Sequence, residues 1–170
     1  MIIAFREFRD EEYFIPKQIL QGAGAQIKTV STSLGQAIGK LGGDTKVDLK
    51  LTELKVEDYD TVLFIGGPGA AKHIDDEKFH QVAQEVIKNN KILGAICVAP
   101  AILARAGVLS GKKATVWSNS MDKSAVKILK EEGVKYFPDS VVKDGRIITA
   151  NGPAAAKEFA EAIIESFSHP

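Results

Sequence analysis

The chain contains one cysteine, Cys97, in the apolar run GAICVAP at residues 94–100. A thiol reacts when it can ionise and reach an electrophile, and it is inert when it packs among hydrocarbon. On its surroundings alone Cys97 reads either way, as buried filler or as a nucleophile. A cysteine that follows a strand and opens a helix meets the positive end of the helix dipole. That placement predicts a lowered thiol pKa and a thiolate population near neutral pH.

A second unusual feature is Gly66-Gly67-Pro68-Gly69. Without side chains, backbone N–H groups there can approach another atom closely, although a tight strand-to-helix turn would need the same residues. The motif is neither a P-loop nor a dinucleotide fingerprint. Around Cys97 the pattern matches in part the strand-turn-helix elbow that presents serine in α/β-hydrolases, with Ala99 where the second glycine usually stands. A cysteine nucleophile commonly has a base, and the histidines are His73, His80 and His169. His80 lies in an amphipathic segment and reads as solvent-facing, and His169 is penultimate, where chains fray. His73, just after the glycines, is the histidine that could approach the thiol. One cysteine and three scattered histidines give no zinc-like spacing, and no cofactor is indicated.

These residues need elements to carry them. Short apolar runs alternate with segments of helical period, which predicts an α/β sheet covered by helices. Ile2 to Phe5 reads as a first strand, 11–22 as a helix with Asp10 as N-cap and Gly22 and Gly24 at its end, and Gln26 to Val30 as the next strand. Between Ser33 and Asp60, alternation at Val47, Leu49 and Leu51 and the turn Gly42-Gly43-Asp44 predict a β-hairpin. Thr61 to Ile65 and Ile92 to Ile96 read as buried parallel strands. The helix between them has Phe79, Val82, Ala83, Val86 and Ile87 on one face. A helix follows Cys97 and ends at Gly107. Asp144-Gly145 predicts a tight hairpin within 141–150, and Pro153 starts a closing helix with Ala156, Phe159, Ile163 and Phe167 on one face. The glycine turn and Cys97 both fall at the carboxyl ends of strands, where open α/β sheets collect ligands.

Length and composition narrow the function. A chain of 170 residues predicts a single domain, 1–170. Its 22 Lys and Arg balance 22 Asp and Glu, so no net field attracts nucleic acid or an anionic membrane. No apolar run approaches the roughly 20 residues of a membrane span. The opening MIIAFREF lacks the features of a secretory signal, and a lone cysteine forms no intrachain disulfide. Both point to the cytoplasm.

Taken together, REFRDEEYFIP at 6–16, DYDTVLFIGGPGA at 58–70, GAICVAPAILARAGVLSGKKAT at 94–115 and DGRIITANGPAAAKEFAEAIIE at 144–165 resemble the ThiJ/PfpI superfamily. The resemblance covers nearly the whole chain in matching order. It implies a flavodoxin-like, three-layer α/β/α sandwich of the class I glutamine amidotransferase type, with a mainly parallel sheet and added β-hairpins. It places the family's reactive cysteine at Cys97 and its acidic residue, four before a proline, at Glu12. The backbone N–H groups of Gly67 and Val98 would face the sulfur and could hold an oxyanion. Gly66, Trp117, Gly152 and Pro153 are the matching substrate-site positions. Trp117 stands where some relatives place a histidine, as an aromatic wall or simply as packing, and Asn151 where some have arginine. The resemblance also implies a homodimer.

Departures from the family pattern separate its activities. PfpI-type proteases follow the cysteine with histidine, whereas Val98 cannot accept a proton, and Pro68 to His73 lacks their acidic residue. The leading expectation is a cysteine-dependent enzyme of the glyoxalase III or deglycase kind, acting on small reactive carbonyls through Cys97 and Glu12. The alternatives are a redox-responsive stress protein that works through Cys97 oxidation, and an intracellular peptidase, which Val98 disfavours.

Overall fold

The computed structural model describes residues 1–168, so the expectation for His169 lies outside the described residues. The amino-terminal half contains β1 (Arg6–Phe8), α1 (Asp10–Gly22), β2 (Val30–Ser31), β3 (Gly35–Gly39), β4 (Asp44–Val47), β5 (Leu49–Lys50) and β6 (Thr61–Phe64). A short helix, α2 (Pro68–Ala71), then leads to α3 (Glu77–Lys88), β7 (Ile92–Ile96) and α4 (Ala99–Arg105). The last elements are β8 (Lys113–Ala114), α5 (Ser124–Glu131), β9 (Lys135–Tyr136), β10 (Val141–Asp144), β11 (Ile147–Ala150) and α6 (Ala156–Ser168).

The main sheet runs β10-β11-β7-β6. β6, β7 and β11 are parallel, and β10 is antiparallel to β11 across the Asp144-Gly145 turn. Ile2 extends the sheet by bridging in parallel to both Phe64 and Val30, and β2 then pairs with β5. The strands are buried on both faces, and their two-residue period sorts side chains into two cores. Val62, Phe64, Leu93 and Ala95 pack with Phe79, Val86, Ile102 and Leu103 from α3 and α4. Leu63, Ile65, Ile92 and Ile96 pack with Tyr13, Leu20, Phe159 and Ile163 from α1 and α6. This is the three-layer α/β/α sandwich. Gly94 is required within it, because a Cβ there would lie 2.5 Å from Leu63 and 3.0 Å from Phe159.

Several boundaries differ from the sequence reading. Of residues 2–5 only Ile2 forms bridges, in place of a continuous strand, and the regular strand begins at Arg6. In the expected 26–30 strand only Val30 pairs, because the Thr29 N–H goes instead to the Asp48 carboxylate, 2.7 Å away. Arg9, not Asp10, precedes α1. Asp10 accepts hydrogen bonds from the backbone of Leu41 (2.8 Å) and Gly43 (2.7 Å), so it clamps the β3-β4 turn to the helix. Ile87 and Phe167 are exposed, at the edges of their apolar faces. Pro153 starts a single 3₁₀ turn ahead of α6. His80 is half-buried, with Nε2 2.7 Å from the Ile74 carbonyl. Among the described residues no helix is long and apolar enough to cross a membrane.

Candidate active site

β7 delivers Cys97 at its carboxyl end, and α4 begins two residues later. Cys97 has φ 64°, the left-handed region that a non-glycine residue adopts only when its surroundings enforce it. Two backbone bonds do so. The Cys97 N–H donates to Ala150 at the end of β11 (2.9 Å), and its carbonyl accepts from Trp117 N–H (2.8 Å). The elbow is therefore fastened to both neighbouring chain segments.

The carboxyl of Glu12 comes from α1. Glu12 is fully buried, and its Oε2 accepts from Gly66 N–H at 3.1 Å. Its Oε1 has no hydrogen-bond partner among the described residues. Gly66 occupies the gap between the two side chains: a Cβ there would lie 2.5 Å from Cys97 Cβ, 2.6 Å from Glu12 Oε2 and 2.8 Å from the Ile96 carbonyl. Gly67, at φ 113°, presses so closely on the chain before α1 that a Cβ would meet Arg9 N at 2.5 Å. Both glycines are therefore needed for close approach as well as for the turn.

The protonation of the pair follows from this packing. Burial raises the Glu12 carboxyl from 4.5 to about 7, against the pull of Cys97, the Gly66 N–H and Arg9. Burial, then the adjacent Glu12 charge, also push the Cys97 thiol up, while the N–H groups of Gly67 and Val98 pull it down. The lowered thiol pKa expected from the sequence is thus reversed. α4 is a short helix, and desolvation together with a neighbouring carboxylate outweighs its end. The repulsion disappears when Glu12 is protonated. One proton shared by thiol and carboxyl avoids two adjacent buried negative charges, and on Oε1 it would also create a donor where none exists.

The remaining sequence-derived candidates divide. Trp117 is half-buried beside the elbow, and Gly152, the residue after Asn151, sits so that its Cβ would be 3.3 Å from the indole. Pro153 follows at the start of the 3₁₀ turn. His73 has partners of its own: Nδ1 lies 2.9 Å from Asp76, and the ring stacks on Phe79 with centroids 4.3 Å apart. The sequence reading missed Arg9. Its N–H donates to the Gly66 carbonyl (3.0 Å), and it stands one helical turn before Glu12, a spacing that could have flagged it. Among the described residues no group of three His, Cys, Asp or Glu side chains could hold a metal ion. A cavity of about 550 Å³, lined in part by Ile27, Tyr59, Thr61 and Phe167, opens at the start of β6. Gly66 follows the other end of that strand, so the cavity is separate from the thiol.

The chain is 35% identical over 167 residues to an uncharacterized protein of Methanocaldococcus jannaschii, covering 98% of this chain and 80% of that protein. It is 28% identical to a glutathione-independent glyoxalase of Caenorhabditis elegans (94% and 82% covered) and 29% identical to a deglycase of Pyrococcus horikoshii (91% and 90% covered). The crystal structure of a ThiJ/PfpI domain protein from Brachyspira murdochii superposes with a TM-score of 0.93 at 35% identity, covering 99% of this chain and 95% of that one. The DJ-1/PfpI family model matches residues 1–166, and the chain belongs to that family.

Proposed function

We propose that the protein is a cysteine-dependent enzyme acting on small 2-oxoaldehydes such as methylglyoxal. The observation that carries this reading is the buried pair itself: a thiol on a strained elbow beside a carboxyl raised to about 7. A group that titrates near neutrality can both give and take a proton at working pH. The relatives named as a glyoxalase and a deglycase support carbonyl chemistry.

In the proposed reaction the Cys97 sulfur adds to the aldehyde carbon. A C–S bond forms, and the carbonyl electron pair moves onto oxygen, where the N–H groups of Gly67 and Val98 stabilise it. Glu12 protonates this oxygen to give a hemithioacetal. Its carboxylate then takes the proton from the former aldehyde carbon and returns it to the adjacent keto carbon, while the hydroxyl proton passes to the former keto oxygen, leaving a 2-hydroxy thioester. Water hydrolyses the thioester, so methylglyoxal plus water becomes lactate, and the thiol is regenerated. No external oxidant is required, because one carbon is oxidised as its neighbour is reduced. Trp117, Gly152 and Pro153 would line the substrate's side of the sulfur.

The test is lactate formation from methylglyoxal by the purified protein, with Cys97→Ser and Glu12→Gln alongside. Turnover that is abolished in the first variant and falls at least about a hundredfold in the second, the usual scale of general acid–base assistance, is expected. Turnover independent of Cys97, or none in the wild type, would overturn the proposal.

A further inference from the structure

Arg9 is the cation built into this site, and the reaction above gives it no role. Its backbone N–H holds the Gly66 carbonyl at 3.0 Å, in the residue whose own N–H holds Glu12. Its backbone nitrogen lies against Gly67, one of the two residues whose N–H groups face the sulfur. The start of α1 therefore sets the base of the Arg9 side chain at the edge of the thiol site.

The guanidinium is oriented as well. Nε and Nη2 donate side-on to the two Glu11 carboxylate oxygens at 2.9 and 3.2 Å, and Nη1 makes no hydrogen bond among the described residues. The side chain is one-third exposed, so it is fixed in direction yet open to solvent. The guanidinium is held charged chiefly by Glu11, with weaker contributions from the charges of Glu12 and Cys97. A planar donor held on one edge, on a residue whose backbone borders the thiol site, suits an oxyanion group such as carboxylate or phosphate.

We propose that Arg9 makes the Cys97 site selective for carbonyl compounds that carry an anionic group, a carboxylate or a phosphate, a few atoms from the carbonyl. As a statement about substrates this rests on the carbonyl-enzyme reading, but the selectivity is a property of the site and can be measured without turnover. A phosphorylated 2-oxoaldehyde would bind with its phosphate on Nη1 and its aldehyde at the sulfur. The same addition, proton transfer and hydrolysis would convert it, with one water, to a phosphorylated 2-hydroxy acid.

The experiment compares alkylation of Cys97 by iodoacetate, which is anionic, with alkylation by iodoacetamide, its neutral counterpart. Both reagents displace iodide with the same thiolate, so the ratio of their rate constants reports the local preference for negative charge independently of thiol pKa. The wild-type ratio should exceed that of free glutathione and fall about fivefold in Arg9→Gln, the scale of one partly exposed charge interaction. Arg9→Lys, which keeps the charge but loses the side-on pairing, should give an intermediate ratio, and 1 M salt should compress the wild-type value. Circular dichroism checks that the variants are folded. A wild-type ratio no greater than that of glutathione, or one unchanged in Arg9→Gln, overturns the proposal. Parallel assays with methylglyoxal and a phosphorylated 2-oxoaldehyde separate the two ideas. If neither is turned over, the enzyme reading fails while the alkylation ratio still decides the role of Arg9. If both are turned over and Arg9→Gln lowers kcat/KM for them equally, selectivity by Arg9 fails while the enzyme reading stands.

Discussion

Replacing Glu12 with glutamine should change how stability depends on pH more than it changes stability itself. The fully buried carboxyl titrates at about 7 in the folded protein and near the ordinary 4.5 in the unfolded chain. Between those values the folded state retains a proton that the unfolded state has released, so stability must fall as pH rises. The contribution is complete below about 4.5, fades through the window, and is gone above about 7. At about 1.4 kcal/mol per pH unit the loss comes to about 3 kcal/mol, a large fraction of the stability of a typical domain. The glutamine side chain would resemble the protonated acid and cannot titrate. Urea denaturation from pH 4 to 8, with both proteins fitted to a common slope, should show the wild type losing about 3 kcal/mol more than Glu12→Gln across the range. Other titrating groups cancel in that difference. Parallel curves would refute the reasoning, because they would mean that burial does not govern Glu12 protonation.

Gly66→Ala should destabilise the protein by about 1–3 kcal/mol and slow Cys97 alkylation, since its methyl would enter the space between thiol and carboxyl; Gly22→Ala, with nothing within 4 Å, should be neutral or stabilising by up to about 1 kcal/mol. Equal urea midpoints for the two variants would contradict that account of Gly66. As a second reading of the site, motivated by the unpartnered Glu12 Oε1, mild peroxide should oxidise Cys97 to the sulfinate, a gain of two oxygen atoms by mass spectrometry. Glu12→Gln should shift the products toward further oxidation, and an identical product pattern in the variant would refute a stabilising role for Glu12.

Period and punctuation in the sequence carried much of the architecture. The apolar runs of β6 and β7 had the composition expected of strands buried on both faces, and Asp144-Gly145 marked the β10-β11 hairpin. Ile2 read correctly as strand, but the extent of that strand to Phe5 did not, because Val30 and Phe64, the partners that hold Ile2, are remote in the chain. Asp10 looked like a cap for its own helix because that role is local, whereas its actual partners, Leu41 and Gly43, become neighbours only after the hairpin folds onto α1. The positions of Cys97, Glu12, Gly67 and Val98 were legible through the family resemblance. The direction of the thiol's pKa was not, since it depends on how deeply two distant segments bury each other.

Among the described residues no histidine is partnered with Cys97, which limits what the site can do. Val98 contributes a backbone N–H and no base, and His73 is engaged with Asp76 and Phe79. In the proposed reaction, proton transfer at the sulfur therefore falls to Glu12. Amide hydrolysis would require that group to protonate an amine leaving group as well as to manage the thiol. Addition to an aldehyde expels no amine, and its internal redox step moves one proton between adjacent carbons and one between their oxygens, in turn, which a single carboxyl titrating near 7 can carry. Burial raises the thiol as well as Glu12, and in the proposed reaction the sulfur adds as thiolate while the pair's one proton sits on the carboxyl. An anionic substrate would meet repulsion from that charge unless a cation lay beside it. Arg9, anchored at its backbone to Gly66 and at its side chain to Glu11, is the residue placed to offset it.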